Sequence, residues 1–434
     1  MKYYCIGIKG AGMSTLAQIL YDLGNEVIGY DDVKEYKFTE EGLKKRNIKI
    51  YSDNNHELDK DTIVTYSAAF SENHKEIVRT KKLGLQFIKY HELLGDITKM
   101  FNTISVCGTH GKTTTSTLIS HILKNTIGCN YFIGDGTGYV NKDNENFVIE
   151  SCEFHKHFLA YSPSITVITN IELEHTESYK NIDEIIKTFE EFANKSKKLI
   201  IACGDDKNIR KIKTNKKIYY YGFNNDNDLY ASNVILNSDG ASFDAYYNKK
   251  LYGHFQIPLF GKHMVLNALA SILISILFNI NEKEVQKLLL NFKNAKRRFC
   301  EEKFMNNIII DDYAHHPTEL KVTIEAVRQK YPNKKIIAIF KPNTYSRTKD
   351  FKEEFIKVLN EADIAFVTPI DCNREKQSDY PGINSYSIIN ELNNGDIIDE
   401  ESIEKLKQFD NVVLCFMSCA SVSHLIESYK NLYK

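Results

Sequence analysis

The sequence predicts an α/β fold made of several parallel-sheet domains, on three observations. Short apolar strands alternate with helical stretches along the whole chain. Two strands run directly into glycine-rich turns that open helices, one at residues 7–12 (GIKGAG) and one at 108–115 (GTHGKTTT). The length, 434 residues, corresponds to about three domains at ~150 residues each.

The elements follow in three blocks. In the first, an apolar strand at 3–8 leads through the glycine turn into a helix over 14–23, closed by Gly24, and a strand at 26–30 ends in Asp31 and Asp32. This β-α-β opening is continued by strands at 62–66 and 85–88. The second block begins near Phe101, with a strand at 103–107, the GTHGKTTT turn and a helix over 116–124. Strands follow at 147–150, 165–170 and 198–202, then a Tyr- and Asn-rich stretch at 218–259 that reads as a small antiparallel insertion, then a helix over 263–278. The third block begins near Lys296, with strands at 307–311, 335–340, 364–367 and 412–416 between helices; the charge-dense stretch 349–357 reads as a solvated helix face.

Composition narrows the function. Lys+Arg 56 against Asp+Glu 57 leaves a net charge of −1, which argues against a nucleic-acid footprint or an anionic-membrane anchor. The most apolar run, 270–280, is broken by Ser271 and Ser275 and stops at Asn279, short of the ~18–20 residues of a membrane span. Residues 1–8 lack a signal-peptide layout, and the nine cysteines include no Cys-x-x-Cys pair. These features lead us to expect a cytoplasmic chain with reduced, mostly buried thiols.

The strongest chemical signal is Gly108-Thr109-His110-Gly111-Lys112-Thr113-Thr114, between a strand and a helix. Glycines let successive N–H groups turn toward an anion at a helix N-terminus. Lys112 supplies a charge for phosphates and Thr113 a hydroxyl for Mg²⁺. Val106 stands where the usual spacing has its first glycine, so the loop is a shortened variant. In the first turn, Lys9 occupies the second glycine position of a dinucleotide fingerprint; a diphosphate over the Ser14 helix start, with Asp31 or Asp32 at a ribose, fits the pattern. Glu150 and His175 follow strands and are expected beside the phosphate loop, suited to Mg²⁺. Asp311-Asp312 and His315-His316 after one strand, and Arg347 after the next, read as functional rather than as packing residues.

Together these motifs resemble the Mur ligase family over nearly the whole chain. The likeness rests on GIKGAGMSTLA, Tyr66-Ser67-Ala68-Ala69 with Asn73, GTHGKTTT, IESCEF, TNIELEHTESY, GKHMVLNA, KRRF, DDYAHHPTE, KPNTYSRT and Arg374-Glu375-Lys376, in the family's order. It implies a three-domain architecture: a Rossmann-like UDP-sugar domain (1–98), a P-loop ATPase domain (99–295) and a Rossmann-like C-terminal domain closing on nucleotide and amino acid (296–434). It further implies an ATP- and Mg²⁺-dependent ligase that joins L-alanine to the lactyl carboxylate of UDP-N-acetylmuramate, in peptidoglycan precursor synthesis, through an acyl phosphate.

Carried over by motif, Gly108, Thr109, His110, Gly111, Lys112, Thr113 and Thr114 hold the triphosphate. Thr113 and Glu150 hold one metal and His175 a second. Asn267 and Arg298 meet the nucleotide and Asp312 its ribose. Gly10, Gly12, Met13, Ser14 and Ser67 bind the UDP-sugar. His315, His316 and Arg347 gather the amino acid and the sugar carboxylate, one histidine being the base that deprotonates the amine.

Three departures stand out: Met264 for the first asparagine of GxHNxxNA, Asn343 for the histidine of QPHxxxR, and Ser418-Cys419-Ala420-Ser421 for GAGD. The last two bear on the choice of amine. A sister ligase using another amine or a peptide is therefore the main alternative. A non-catalytic nucleotide-binding homologue is disfavoured by the presence of Lys112 and Glu150. A nicotinamide-dependent oxidoreductase is disfavoured by Lys9 and the second phosphate loop.

Overall fold

The computed structural model describes residues 1–175, 178–372 and 375–434. Its strands form three sheets, of five, ten and six strands, and the chain divides into two compact units. The first unit comprises Met1–Ser232, Asp244–Phe255 and Leu266–Phe292; the second comprises Asn233–Phe243, Gln256–Val265 and Lys293–Lys434.

The five-stranded sheet is parallel throughout, in the order Lys49–Tyr51, Glu26–Tyr30, Lys2–Ile6, Thr62–Tyr66, Gln86–Phe87. The opening strand is central, so the turn after Ile6 lies at a point where the chain leaves in both directions, the usual ligand position of such sheets. Helix Ala11–Asp22 begins three residues earlier than the apolar pattern predicts.

In the ten-stranded sheet, strand Asn102–Cys107 lies between Asn146–Glu150 and Ile165–Ile168, parallel to both. The carboxyl ends of these three strands carry the GTHGKTTT loop, Glu150 and the segment leading to His175. Helix Lys112–Thr126 starts four residues before the predicted start, which brings Thr113, Thr114 and Thr115 into its first turn. Threonines are weak helix formers in mid-helix, but at a helix N-terminus the earliest N–H groups lie outside the helix's own ladder, which begins here with Thr115 N donating to Gly111 O. The 218–259 stretch is only partly the separate insertion expected. Its first strand, Lys217–Gly222, joins the parallel sheet beside Leu199–Cys203. Only Leu229–Asn237, Gly240–Tyr247 and Lys250–Ile257 form a meander; the second of its turns places Asn248 and Lys249 at φ 50° and 64°, as a two-residue hairpin requires.

The six-stranded sheet of the second unit is parallel except for the edge strand Cys300–Phe304, which pairs antiparallel with Asn307–Asp312. Alternate residues bury opposite faces. Ile308, Ile310, Ala338 and Phe340 join one core, while Ile309, Ile337, Ile339 and Phe416 join the other. Continuous isoleucine runs are what a doubly covered parallel sheet demands. In the stretch 349–357 two helices, Tyr345–Asp350 and Lys352–Leu359, meet; Lys349, Asp350, Glu353, Glu354 and Lys357 are exposed, as a solvated face requires, while Phe355 and Ile356 are buried.

Candidate functional site

Within the first unit, the glycine turn at 7–12 is built from below. Lys9 turns inward, ion-paired with Glu40 at 2.9 Å and donating to the carbonyls of Lys34 and Glu35. Its backbone N–H donates to Asp31, whose other oxygen accepts from Val33 N. Asp31 is thus part of the turn, and Lys9 replaces a glycine because its side chain leaves the ligand side altogether. Asp32 accepts from Tyr30 Oη at 2.7 Å and contacts His74 Nε2 at 2.9 Å. Gly10 is exposed, and Ser67 faces the turn, its Cβ 3.0 Å from where a Cβ on Gly7 would lie. Met13 and Ser14 point inward; Ser14 Oγ donates to Thr39 O at 2.7 Å. Their side chains are therefore engaged in the fold rather than offered to a ligand.

The GTHGKTTT loop is held rigidly by the neighbouring strand end. His110 N donates to Asn170 Oδ1 (2.8 Å), while Thr169 Oγ1 and Asn170 Nδ2 both donate to His110 O. Thr109 Oγ1 accepts from Glu172 N at 2.9 Å. Gly108 and Gly111 adopt φ 136° and 78°. A side chain on Gly108 would strike Thr169, and one on Gly111 would come within 2.9 Å of Asn267 Oδ1. Asn267 is thereby placed at the loop.

Lys112 Nζ donates to Gly108 O and Thr109 O and forms an ion pair with Glu153 at 3.1 Å, the Glu153 side chain being 2% exposed. Burial opposes the ammonium charge, yet Glu153, Cys152 and Glu150 outweigh it and raise its pKa. A lysine already holding a carboxylate is suited to a phosphate oxyanion. Thr113 Oγ1 donates to Glu150 Oε1 at 3.1 Å, and Gly134 N donates to Glu150 Oε2 at 2.8 Å. A hydroxyl and a carboxylate side by side are hard oxygen ligands of the kind Mg²⁺ takes. His175, at φ 55°, brings Nε2 to 4.0 Å from Glu153 Oε1. The structure thus gathers Lys112, Thr113, Glu150 and His175 and adds Glu153 and Gly134. Glu153 stands in IESCEF, three residues after Glu150, and that spacing was the signal available for it. Thr176, Glu177 and Arg374 lie outside the described residues.

In the second unit, the acids and histidines after Asn307–Asp312 have structural partners, contrary to their reading as purely functional. Asp311 pairs with Arg297 at 3.2 Å, and Arg297 also donates to the carbonyls of Ser418 and Cys419. The Ser-Cys-Ala-Ser departure is therefore tied down through its backbone. Asp312, buried, accepts from Phe299 N (2.7 Å), Ala314 N (2.8 Å) and Thr323 Oγ1. Burial raises its pKa against the pull of Arg298. Arg298 lies over the Tyr313 ring, 4.8 Å from its centroid. His316 caps helix Pro317–Lys330, its Nδ1 accepting from Thr318 N, with Glu319 completing a capping box.

His315 differs: its Nδ1 meets Tyr313 O at 3.0 Å and Glu319 Oε2 at 2.9 Å. Both neighbours are acceptors, so Nδ1 carries the proton and Nε2 is left with the lone pair. Arg347 Nη1 donates to Asn343 Oδ1 at 3.0 Å, so the residue replacing the expected histidine contacts the arginine directly. Glu375 accepts from Tyr345 N, Ser346 N and Ser346 Oγ, anchoring the turn that carries Arg347.

Comparison with known proteins gives three family matches along the chain: Mur ligase family, catalytic domain, over residues 2–102; Mur ligase middle domain over 106–275; and Mur ligase, glutamate ligase domain over 297–417. The fold is shared with solved structures. The UDP-N-acetylmuramate-alanine ligase MurC from Thermotoga maritima is 24% identical, with a TM-score of 0.82 over 100% of this chain and 99% of that one. The murein peptide ligase mpl from Psychrobacter arcticus 273-4 is 20% identical, with a TM-score of 0.72 over 99% of each chain. MurF ligase from Thermotoga maritima in complex with ADP is 16% identical, with a TM-score of 0.63 over 93% of this chain and 94% of that one.

Proposed function

This chain belongs to the Mur ligase family, whose members are ATP-dependent amide ligases, and from that premise we propose that it joins L-alanine to the lactyl carboxylate of UDP-N-acetylmuramate. The observation that carries the reading is the juxtaposition of Lys112, already holding a carboxylate, with the Thr113–Glu150 oxygen pair. A cation and a hard-metal ligand set at one loop are what a triphosphate with Mg²⁺ needs.

A free carboxylate acylates poorly because oxide would have to leave. Attack of its oxygen on the γ-phosphorus of ATP expels ADP and leaves an acyl phosphate. Charge develops on phosphoryl oxygens during that transfer, and Lys112 is placed to stabilise it. Mg²⁺ held by Thr113 and Glu150, with His175 at a second ion, would supply further charge neutralisation. The amine then attacks the carbonyl, phosphate departs, and the amine must lose a proton. Of the two candidate bases, His315 is preferred because its Nε2 is free to accept, whereas His316 uses its Nδ1 in the helix cap. Arg347 gathers a carboxylate. On this reading residues 1–98 hold the UDP-sugar, 99–295 the ATP and 296–434 the amino acid, and the enzyme works in the cytoplasm.

One observation favours a second reading, a sister ligase with a larger amine. Next to the Arg347 turn, Tyr345, Ile370, Ser385 and Tyr386 line a cavity of about 340 Å³, more room than a methyl side chain needs. A panel of amino acids and short peptides offered with UDP-N-acetylmuramate, ATP and Mg²⁺, scored by product mass, decides between them. The alanine adduct alone supports the proposal. A peptide adduct alone supports the alternative, and ADP release from the Lys112→Ala variant undiminished would refute both.

A further inference from the structure

Tyr90 opens helix Tyr90–Lys99, far along the chain from the first glycine turn, and no sequence motif singles it out. Its ring crosses over that turn. A Cβ on Gly12 would lie 2.5 Å from Tyr90 Oη, so the hydroxyl is the group nearest this glycine and the reason that no side chain fits there. Ionisation of the phenol is opposed first by burial and then by Tyr161, Cys152 and Glu150, which leaves it a neutral donor beside the acid paired with Thr113. Tyr90 Oη makes no hydrogen bond among the described residues, although a half-buried hydroxyl ordinarily finds one.

The helix is fixed against the segment that follows Glu150. The His91 and His157 rings stack 4.3 Å apart, 13° from parallel. Gly95 packs so closely on Ala160 that a Cβ would come within 2.5 Å of its carbonyl oxygen, and Ser162 N donates to Thr98 Oγ1 at 3.0 Å. These contacts hold the phenol between the glycine turn and the Glu150 site, both within one compact unit.

We propose that Tyr90 is a substrate-binding residue whose hydroxyl donates a hydrogen bond to an anionic oxygen of the sugar nucleotide as it passes from the glycine turn toward the Glu150 site. The inference rests on the reading of that turn as the UDP-sugar site. The oxygen belongs either to the diphosphate or to the carboxylate that is to be activated, and the two share the same chemistry.

The test is titration of the full-length chain and of its Tyr90→Phe variant, which keeps the ring over Gly12, with UDP, UDP-N-acetylmuramate and ATP–Mg²⁺ separately, together with the steady-state KM of each substrate. A hydrogen bond to a charged oxygen corresponds to about a tenfold or greater loss. The Kd and KM for UDP-N-acetylmuramate should rise by about that factor in the variant, with ATP affinity and melting temperature unchanged. An equal loss for UDP assigns the diphosphate; a loss confined to the sugar acid assigns the carboxylate. Unchanged UDP-N-acetylmuramate affinity, or an equal loss for ATP, overturns the proposal. An unmodified chain that binds no UDP-sugar would instead overturn the reading of the turn itself.

Discussion

Lys112 and Glu153 form an ion pair at 3.1 Å, with side chains only 13% and 2% exposed, at the loop proposed to receive ATP. A buried carboxylate thus stands beside the ammonium proposed to meet phosphate. Removing one partner of a buried pair costs about 3–5 kcal/mol when the other charge is left alone, less when a polar group remains. Glu153→Gln should therefore lower the melting temperature without nucleotide. Saturating ATP–Mg²⁺ should raise it more than in the unmodified chain, because the triphosphate restores the missing negative charge. Equal nucleotide-induced shifts in the two proteins would contradict this.

Glu150 is aimed by two donors, Thr113 Oγ1 and the backbone N–H of Gly134. A Cβ on Gly134 would fall 2.6 Å from its carboxylate oxygens. Gly134→Ala is expected to push Glu150 aside and raise the Mg²⁺ concentration for half-maximal turnover several-fold, with the KM for the amino acid unaffected. A magnesium titration identical to that of the unmodified chain would remove Glu150 from the metal site.

His157 stacks on His91, and burial, with His91, His155 and Lys89, lowers its pKa to about 4. The folded chain therefore refuses a proton that the unfolded chain accepts below about pH 6.5, so the stability due to the neutral ring is lost as pH falls from there toward 4. Its ring is only partly enclosed and solvent screens part of the effect, leaving about 1 kcal/mol between pH 7.5 and 5. Denaturation of the unmodified chain and His157→Gln at both pH values should give a stability difference that moves by that amount in favour of the variant at low pH. A pH-independent difference would mean that the ring takes up its proton in the fold as readily as in the unfolded chain.

The adjacent histidines should separate by mutation. His316→Asn retains a good helix cap and should keep most activity. His315→Asn removes the only one of the two with a free basic nitrogen, and kcat should fall by about a hundredfold or more, in line with loss of a general base. Reversal of that order in steady-state assays would assign the proton transfer to His316.

The strand–turn–helix units were legible because glycine spacing and apolar runs are local signals. Lys112, Thr113, Glu150 and His175 meet because each follows the end of one of three adjacent parallel strands, a relationship that the strand pattern implies. The start of the Lys112–Thr126 helix was not legible, since threonines in a first turn look unlike a helix. The cap formed by His316 was hidden for a related reason, histidine being an uncommon N-cap. Tyr90 and Gly134 act through contacts with distant segments to which nothing in their immediate sequence points; Glu375 lies in the Arg374-Glu375-Lys376 triplet, but its bonds to Tyr345 and Ser346 depend on a segment about thirty residues away. Met13 and Ser14 sit in a legible motif but face inward, because helix Ala11–Asp22 is buried on all sides from Met13 to Leu20.

The central claim is that the sugar's carboxylate is activated by the γ-phosphoryl group. UDP-N-acetylmuramate labelled with ¹⁸O in the lactyl carboxylate, incubated with the enzyme, L-alanine, ATP and Mg²⁺, tests it directly by mass spectrometry of the released phosphate. The account predicts one labelled oxygen in each phosphate released along with the amide. Phosphate free of label, with ATP still consumed, would mean that water rather than the carboxylate receives the phosphoryl group.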